Sequence, residues 1–251
     1  MKKWILRYIQ SKKRMPATMT HSQKITDDTL IDIALQGGGA HGAFTWGVLD
    51  RLLEEQKLQI DGISGTSAGA MNAVVRADGY IKDGAQGARN SLELFWKSVS
   101  NAARFSLFQR SPLDMLLGQW SLDHSPFFIT MDVMSRLFSP YDIDPFGVNP
   151  LHNILEELID FTRLSQSSIK LFVTATNVST GKGRVFRNNE ITPEVLLASA
   201  CLPTIFKAVE IDGEHYWDGG YSGNPTITPL VRECKSQDTI LVQINPVTRP
   251  G

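Results

Sequence analysis

Apolar residues along the chain switch between two spacings, and the switches mark its elements. Leu30 to Leu35 (LIDIAL) is a β-branched, apolar run that predicts a strand, and it enters the glycine run Gly37-Gly38-Gly39-Ala40-His41-Gly42. From Ala43 to Leu53 apolar residues return at helical spacing. A second short apolar run over Ile60–Ile63 stops at Gly65-Thr66-Ser67-Ala68-Gly69 and restarts as a helix through Met71–Tyr80, until KDGAQGARN breaks it. Leu151–Phe161 (LHNILEELIDF) reads as an amphipathic helix, and Lys170–Thr176 (KLFVTAT) as a strand. The turn Thr180-Gly181-Lys182-Gly183 returns that strand through Arg184–Arg187. Pro193–Ala200 reads as a short helix with its proline in the first turn, Asp212-Gly213 as a hairpin turn, and Thr239–Ile244 as a last strand.

Residues 92–150 break this rhythm. Nine phenylalanines and tryptophans from Phe95 to Phe146 are interrupted by Pro112, Pro126, Pro140, Pro145 and Pro150, which reads as short helices and loops inserted as a cap. Most of these aromatics are expected to form a local core, and a minority near the mouth to line an apolar site. A net charge of −1 and 42% hydrophobic residues, with no run of 18 apolar residues, describe an ordinary globular chain. The average conceals a basic start: residues 1–25 carry seven Lys and Arg and no acid, leaving −8 for the rest. Trp4, Ile5, Tyr8 and Ile9 fall on one side of a helix among those charges, so residues 1–14 are either a peripheral contact for an anionic membrane or a solvated tail. Residues 1–28 are taken as tail and linker, and 29–251 as one catalytic domain. Cys201 and Cys234 are too few for a disulfide framework, so a reducing, cytoplasmic location is expected, with membrane contact at most peripheral.

Candidate chemistry gathers at three places. Gly65-x-Ser67-x-Gly69 at a strand-to-helix switch is the pattern of a nucleophile elbow, in which glycines leave room for a sharp turn and the serine hydroxyl projects from the sheet. The Gly37–Gly42 loop leaves backbone N–H groups uncovered, suited to an anion such as the oxyanion of an acyl intermediate. Asp218-Gly219-Gly220 allows a sharp turn that leaves a carboxylate facing a neighbouring loop. Two other readings stay open. Gly37-x-Gly39-x-x-Gly42, with Asp61 standing 19 residues later, also satisfies a dinucleotide fingerprint and so a nucleotide-binding module. His215, after Ser67 in chain order, allows an esterase triad.

Together, GGGAHG at 37–42, GTSAG at 65–69 and DGG at 218–220 resemble the patatin-like phospholipase family, with further similar pieces in NPL at 149–151 and ASACLP at 198–203. The resemblance spans about residues 30–248. It implies a three-layer α/β/α fold with a central, mostly parallel sheet and an inserted helical cap. It also implies hydrolysis of acyl esters in phospholipids or lysophospholipids by a Ser–Asp dyad. Ser67 is then the nucleophile, Asp218 the base, and Gly37, Gly38 and Gly39 the oxyanion hole, with His41, Gly42, Gly65, Gly69, Gly219 and Gly220 supporting the site. Such chemistry asks for no metal or cofactor, and nucleic acid is not an expected partner. An ordinary aspartate, near pKa 3.9, is a weak base, so the oxyanion donors must carry much of the catalysis. Two departures are visible: His41 stands where the family usually has Arg or Lys, replacing a fixed charge by one that depends on pH, and the chain ends at Gly251, where bacterial relatives commonly continue, so a shortened form is expected. A chain that has lost activity and only binds lipid is a third alternative.

Overall fold

The computed structural model describes residues 28–104 and 149–245. The membrane-contact reading of residues 1–14 and the cap reading over 105–148 therefore lie outside the described residues.

Seven strands form one sheet: β1 (Thr29–Leu35), β2 (Leu58–Gly65), β3 (Lys170–Asn177), β4 (Gly183–Arg187), β5 (Val209–Ile211), β6 (Glu214–Asp218) and β7 (Thr239–Val242). The centre runs β7-β1-β2-β3 with every pair parallel, as expected of strands that read as continuous apolar runs. Antiparallel strands complete the β3 side. Phe172 and Val173 pair with β4 on one edge and β2 on the other, whereas Ala175 and Thr176 pair with β4 and β6. Strands β2 and β6 therefore share one edge of β3 and approach each other head to head. β5 completes the hairpin, with Asp212 and Gly213 both at positive φ as a tight two-residue turn demands.

Six helices are described: α1 (Gly42–Leu52), α2 (Ala68–Arg104), α3 (Pro150–Leu158), α4 (Phe161–Ser165), α5 (Pro193–Ser199) and α6 (Thr228–Glu233). The break expected over KDGAQGARN shrinks to Asp83 and Gly84, where Gly84 at φ 53° and ψ −140° turns the chain. Helix α2 doubles back there, and its arms lie close enough for Trp96 Nε1 to donate to Asn72 Oδ1 at 3.0 Å. The second arm runs on to Arg104, and its Leu92, Phe95 and Trp96 are buried in the main core. The helix expected to reach Phe161 ends at Leu158, because the Asp160 carboxylate accepts the Arg163 N–H at 2.9 Å and starts α4.

Strand alternation divides the layers. Ile31, Ile33, Leu35, Ile63, Leu171 and Val173 face the main core, covered by the α2 arms with α3 and α5. Ala34 and Phe172 face Leu230 of α6 in a second, smaller cluster. The chain is thus a three-layer α/β/α molecule. Among the described residues no helix is long and apolar enough to cross a membrane.

Candidate active site

Strand β2 ends at Gly65, and α2 begins at Ala68, leaving two residues to make the turn. Ser67 makes it at φ 54°, a left-handed conformation that costs a side-chain-bearing residue about 1–2 kcal/mol. Local contacts hold it there. A side chain on Gly69 would run into the Leu35 carbonyl, and one on Gly65 would meet the Ala70 nitrogen at 2.6 Å, so only glycine fits on either side. The Ser67 N–H donates to Ser199 Oγ at 2.9 Å, and that hydroxyl donates to the Thr174 carbonyl at 2.7 Å. Ser199 is fully buried, so this strap is shielded from water.

From the opposite direction β6 delivers Asp218, whose N–H donates to the Cys201 carbonyl at 2.8 Å. The Gly220 N–H donates to Asp218 Oδ1 at 2.7 Å, and the Ser67 side chain is near enough to the carboxylate to favour its ionised form. Burial, with 7% of the residue exposed, pushes the Asp218 carboxyl above the ordinary aspartate range, and the Gly220 N–H and the Ser67 side chain only partly offset it. The chain beyond Asp218 is laced to the second face of the sheet by hydroxyls. Ser64 donates to the Thr226 carbonyl at 2.6 Å, Thr66 to Gly223 at 2.8 Å, and Thr176 to Asp218 itself at 2.9 Å, while Thr174 and Thr226 pair through their hydroxyls at 2.9 Å.

The glycine loop lies between these segments. A side chain on Gly37 would come within 2.8 Å of the Ser67 Cβ, so the loop backbone runs directly beside the elbow. The Gly37 N–H donates to Asn224 Oδ1 at 2.6 Å and Asn224 Nδ2 donates back to the Gly37 carbonyl at 3.3 Å. Before it, Gln36 Oε1 accepts the N–H groups of Ile244 and Asn245, each at 2.8 Å. The Gly37 amide is therefore already engaged, whereas those of Gly38 and Gly39 have no partner among the described residues. Gly39 takes φ 58°, and Gly42 opens α1 packed against Ala68 and Trp96, its carbonyl accepting from Asn72 Nδ2 at 3.1 Å. His41 is exposed, with Nδ1 3.3 Å from the Gly38 carbonyl.

The structure thus brings Ser67, Asp218 and the Gly37–Gly39 loop together with all their flanking glycines. His215 does not join them. It projects from the β5–β6 hairpin with its side chain 52% exposed and Nε2 4.0 Å from Glu210. Asp61 lies inside β2 instead of beyond it. Its carboxylate is taken up by Lys170 at 3.3 Å and by the Lys235 N–H, so it is not offered to a ribose. Asp32, Asp61 and Cys234 have candidate ligand atoms within 4.8 Å of one another, but the Lys170 ammonium already sits 3.3 Å from the Asp61 carboxylate there. Ser199, Asn224 and Gln36 were not foreseen, since each acts on a partner distant in sequence. For Ser199 the one local signal was its place in the ASACLP segment.

With this geometry in view, a family model described as "Patatin-like phospholipase" matches residues 33–231, most of the chain. The chain belongs to the patatin-like phospholipase family. Among solved structures this patatin-like chain is similar to VipD from Legionella pneumophila, with 16% identity and a TM-score of 0.44 over 86% of this chain and 49% of that one. It is also similar to a chain of the ExoU-SpcU complex from the type III secretion system of Pseudomonas aeruginosa, with 20% identity and a TM-score of 0.28 over 74% of this chain and 42% of that one. It spans less than half the length of either. No curated protein matches it. The matched patatin-like region contains the glycine loop, the elbow and the Asp218 turn, the segments that meet in space.

Proposed function

We propose that this patatin-like chain is a lipid acyl hydrolase of phospholipase A or lysophospholipase type, with Ser67 as nucleophile and Asp218 as general base. The observation that carries this reading is the placement of Ser67, on its left-handed elbow, beside a buried carboxylate whose affinity for protons is raised by that burial and next to the glycine loop. As the Ser67 oxygen attacks the ester carbonyl, its proton passes to Asp218 and the carbonyl electrons collect on oxygen, beside the Gly38 and Gly39 amides, which have no partner among the described residues. Collapse of that intermediate expels the alcohol, which takes the proton from Asp218 and leaves an acyl-Ser67 ester. Asp218 then accepts a proton from water as the water attacks that ester, and returns it to Ser67 as the fatty acid departs. A more basic Asp218 than the ordinary side chain suits both halves.

A lipid substrate is supported by the surroundings. Leu202, Ile205 and Phe206 lie within five residues after Cys201, whose carbonyl holds Asp218, and Tyr221 directly follows the Asp218 turn; all four are exposed, Tyr221 by 61%. Apolar side chains left in water on both segments flanking the acid fit an acyl chain or a lipid surface. The proposal includes phospholipid or lysophospholipid as substrate and a peripheral position at a membrane. Fatty-acid release from mixed phospholipid and lysophospholipid vesicles tests it. Wild type is expected to release fatty acid, and Ser67→Ala and Asp218→Asn to release none. An Asp218→Asn protein as active as wild type would move the base elsewhere and overturn the dyad.

A further inference from the structure

Asn224 lies 187 residues from Gly37 in the chain, yet its side-chain amide engages both polar groups of that glycine's backbone. It pairs with Gly37 as the peptide of a neighbouring strand would, at a point where, among the described residues, no strand remains to do it. The carbonyl of Gly37 and the N–H of Gly38 belong to one planar peptide unit and point in opposite directions. Tying the Gly37 carbonyl to Asn224 Nδ2 therefore turns the Gly38 N–H to the side away from Asn224. Without that tie, Gly37 and Gly38 are free to rotate the unit, since neither has a side chain to bar it. A rotated unit presents a carbonyl oxygen where an amide is needed, and an oxyanion there meets repulsion in place of a hydrogen bond.

We propose that Asn224 is a positioning residue that locks the Gly37–Gly38 peptide in the orientation that offers the Gly38 N–H to the reaction's oxyanion. The inference rests on the hydrolase reading above. Asn224 also closes a circuit: it follows the Asp218 turn by six residues, and Thr66 Oγ1, next to the nucleophile, donates to the Gly223 carbonyl beside it at 2.8 Å. The acid's segment, the elbow and the oxyanion loop are thereby held by one stretch of chain.

The test uses Asn224→Ala and Asn224→Asp, the second keeping an acceptor for the Gly37 N–H but losing the donor to its carbonyl. Three quantities are read: amide hydrogen exchange of the peptide covering residues 36–42, kcat and KM on a soluble acyl ester, and inhibition by an alkyl trifluoromethyl ketone, which forms an oxyanion on the serine. Both variants are expected to exchange faster over 36–42 and to lose about 10²-fold in kcat with KM nearly unchanged, the loss of one oxyanion donor. Ketone affinity should fall in the same proportion as kcat, which a merely structural role would not produce. Exchange and kcat both equal to wild type would overturn the clamp. Faster exchange with unchanged kcat and ketone affinity would overturn its role in positioning. A wild-type chain that neither hydrolyses the ester nor reacts with a fluorophosphonate, while the variants still exchange faster, would overturn the hydrolase reading and leave Asn224 as a structural clamp only.

Discussion

Removing the Ser199 hydroxyl pits a strained turn against the bond that restrains it. Ser199→Ala leaves two groups without partners, the Ser67 N–H and the Thr174 carbonyl, which the hydroxyl joins at 2.9 and 2.7 Å. An unsatisfied buried group costs about 1–3 kcal/mol. Thr174 is buried and bears the full penalty, while Ser67 is half-buried and can recover part of its own from water. A loss of about 2–4 kcal/mol in unfolding free energy is expected, read from the urea midpoint at constant slope. The elbow should suffer separately. Its left-handed Ser67 stores about 1–2 kcal/mol of strain, and the lost hydrogen bond is worth about 1 kcal/mol, so the two are comparable and a relaxed turn becomes populated. Fluorophosphonate labelling of Ser67 should slow by roughly tenfold, the factor that 1.4 kcal/mol represents. A Ser199→Ala chain within 0.5 kcal/mol of wild type and labelled at the same rate would refute the strap.

Asp218 carries a prediction about pH. Burial raises its carboxyl, so the folded chain binds that proton more tightly than the unfolded chain does, and the ionised group costs stability at neutral pH. Asp218→Asn should therefore melt above wild type at about pH 7, the gap closing as pH falls toward the ordinary aspartate value near 3.9, while hydrolysis is lost; a variant that melts lower throughout contradicts this. In the wild type, kcat/KM should begin to fall on the acid side at a pH above that ordinary value, and an activity that persists to pH 4 would deny Asp218 its role as base. Arg163→Ala strips the buried Asp78 carboxylate of hydrogen bonds at 2.6 and 3.0 Å, leaving it Lys82 alone among the described residues, and should cost about 3 kcal/mol by urea unfolding. A cost under about 0.5 kcal/mol would show that Lys82 neutralises Asp78 unaided. His41→Arg puts a larger, permanently charged side chain beside the Gly38 carbonyl and should change kcat on a soluble ester, and an unchanged kcat would mean that His41 does not influence the site.

The three motifs were legible because their signal is local. Gly65 and Gly69 flank Ser67 within five residues, and two glycines follow Asp218 at once. What holds them together was written across the chain. KLFVTAT reads simply as a strand, yet Thr174 and Thr176 face away from the main core and, with Ser64, bind the segment after Asp218 through contacts 42 to 162 residues apart. Nothing near Ser64 says that its hydroxyl will meet Thr226. Asn224 looks like an ordinary turn residue before a proline until Gly37 is found beside it. The Asp61 coincidence misled for the same reason, since spacing alone cannot show that Lys170, 109 residues on, already occupies the carboxylate. The end of α3 was readable: Asp160 before Phe161-Thr162-Arg163 is a helix-start signal that the amphipathic run obscured. Conversely, GAQGAR invited a long break, whereas Gly79 and Gly87 let the two arms of α2 pack so closely that Asp83 and Gly84 alone suffice.

The shared edge of β3 works as a ruler. Gly65, the last residue of β2, stands opposite Val173, and Asp218, the last of β6, opposite Ala175. Two residues of extended chain measure about 7 Å, and that fixed length sets how far apart the two strand ends can stand. Thr174 marks the gap, its carbonyl paired by neither strand and taken instead by Ser199. Chain inserted between β2 and β3, or between β4 and β5, can lengthen or change sequence without altering this spacing. A single residue added within β3 between Val173 and Ala175 would reset it, parting serine from aspartate while leaving every loop of the molecule intact.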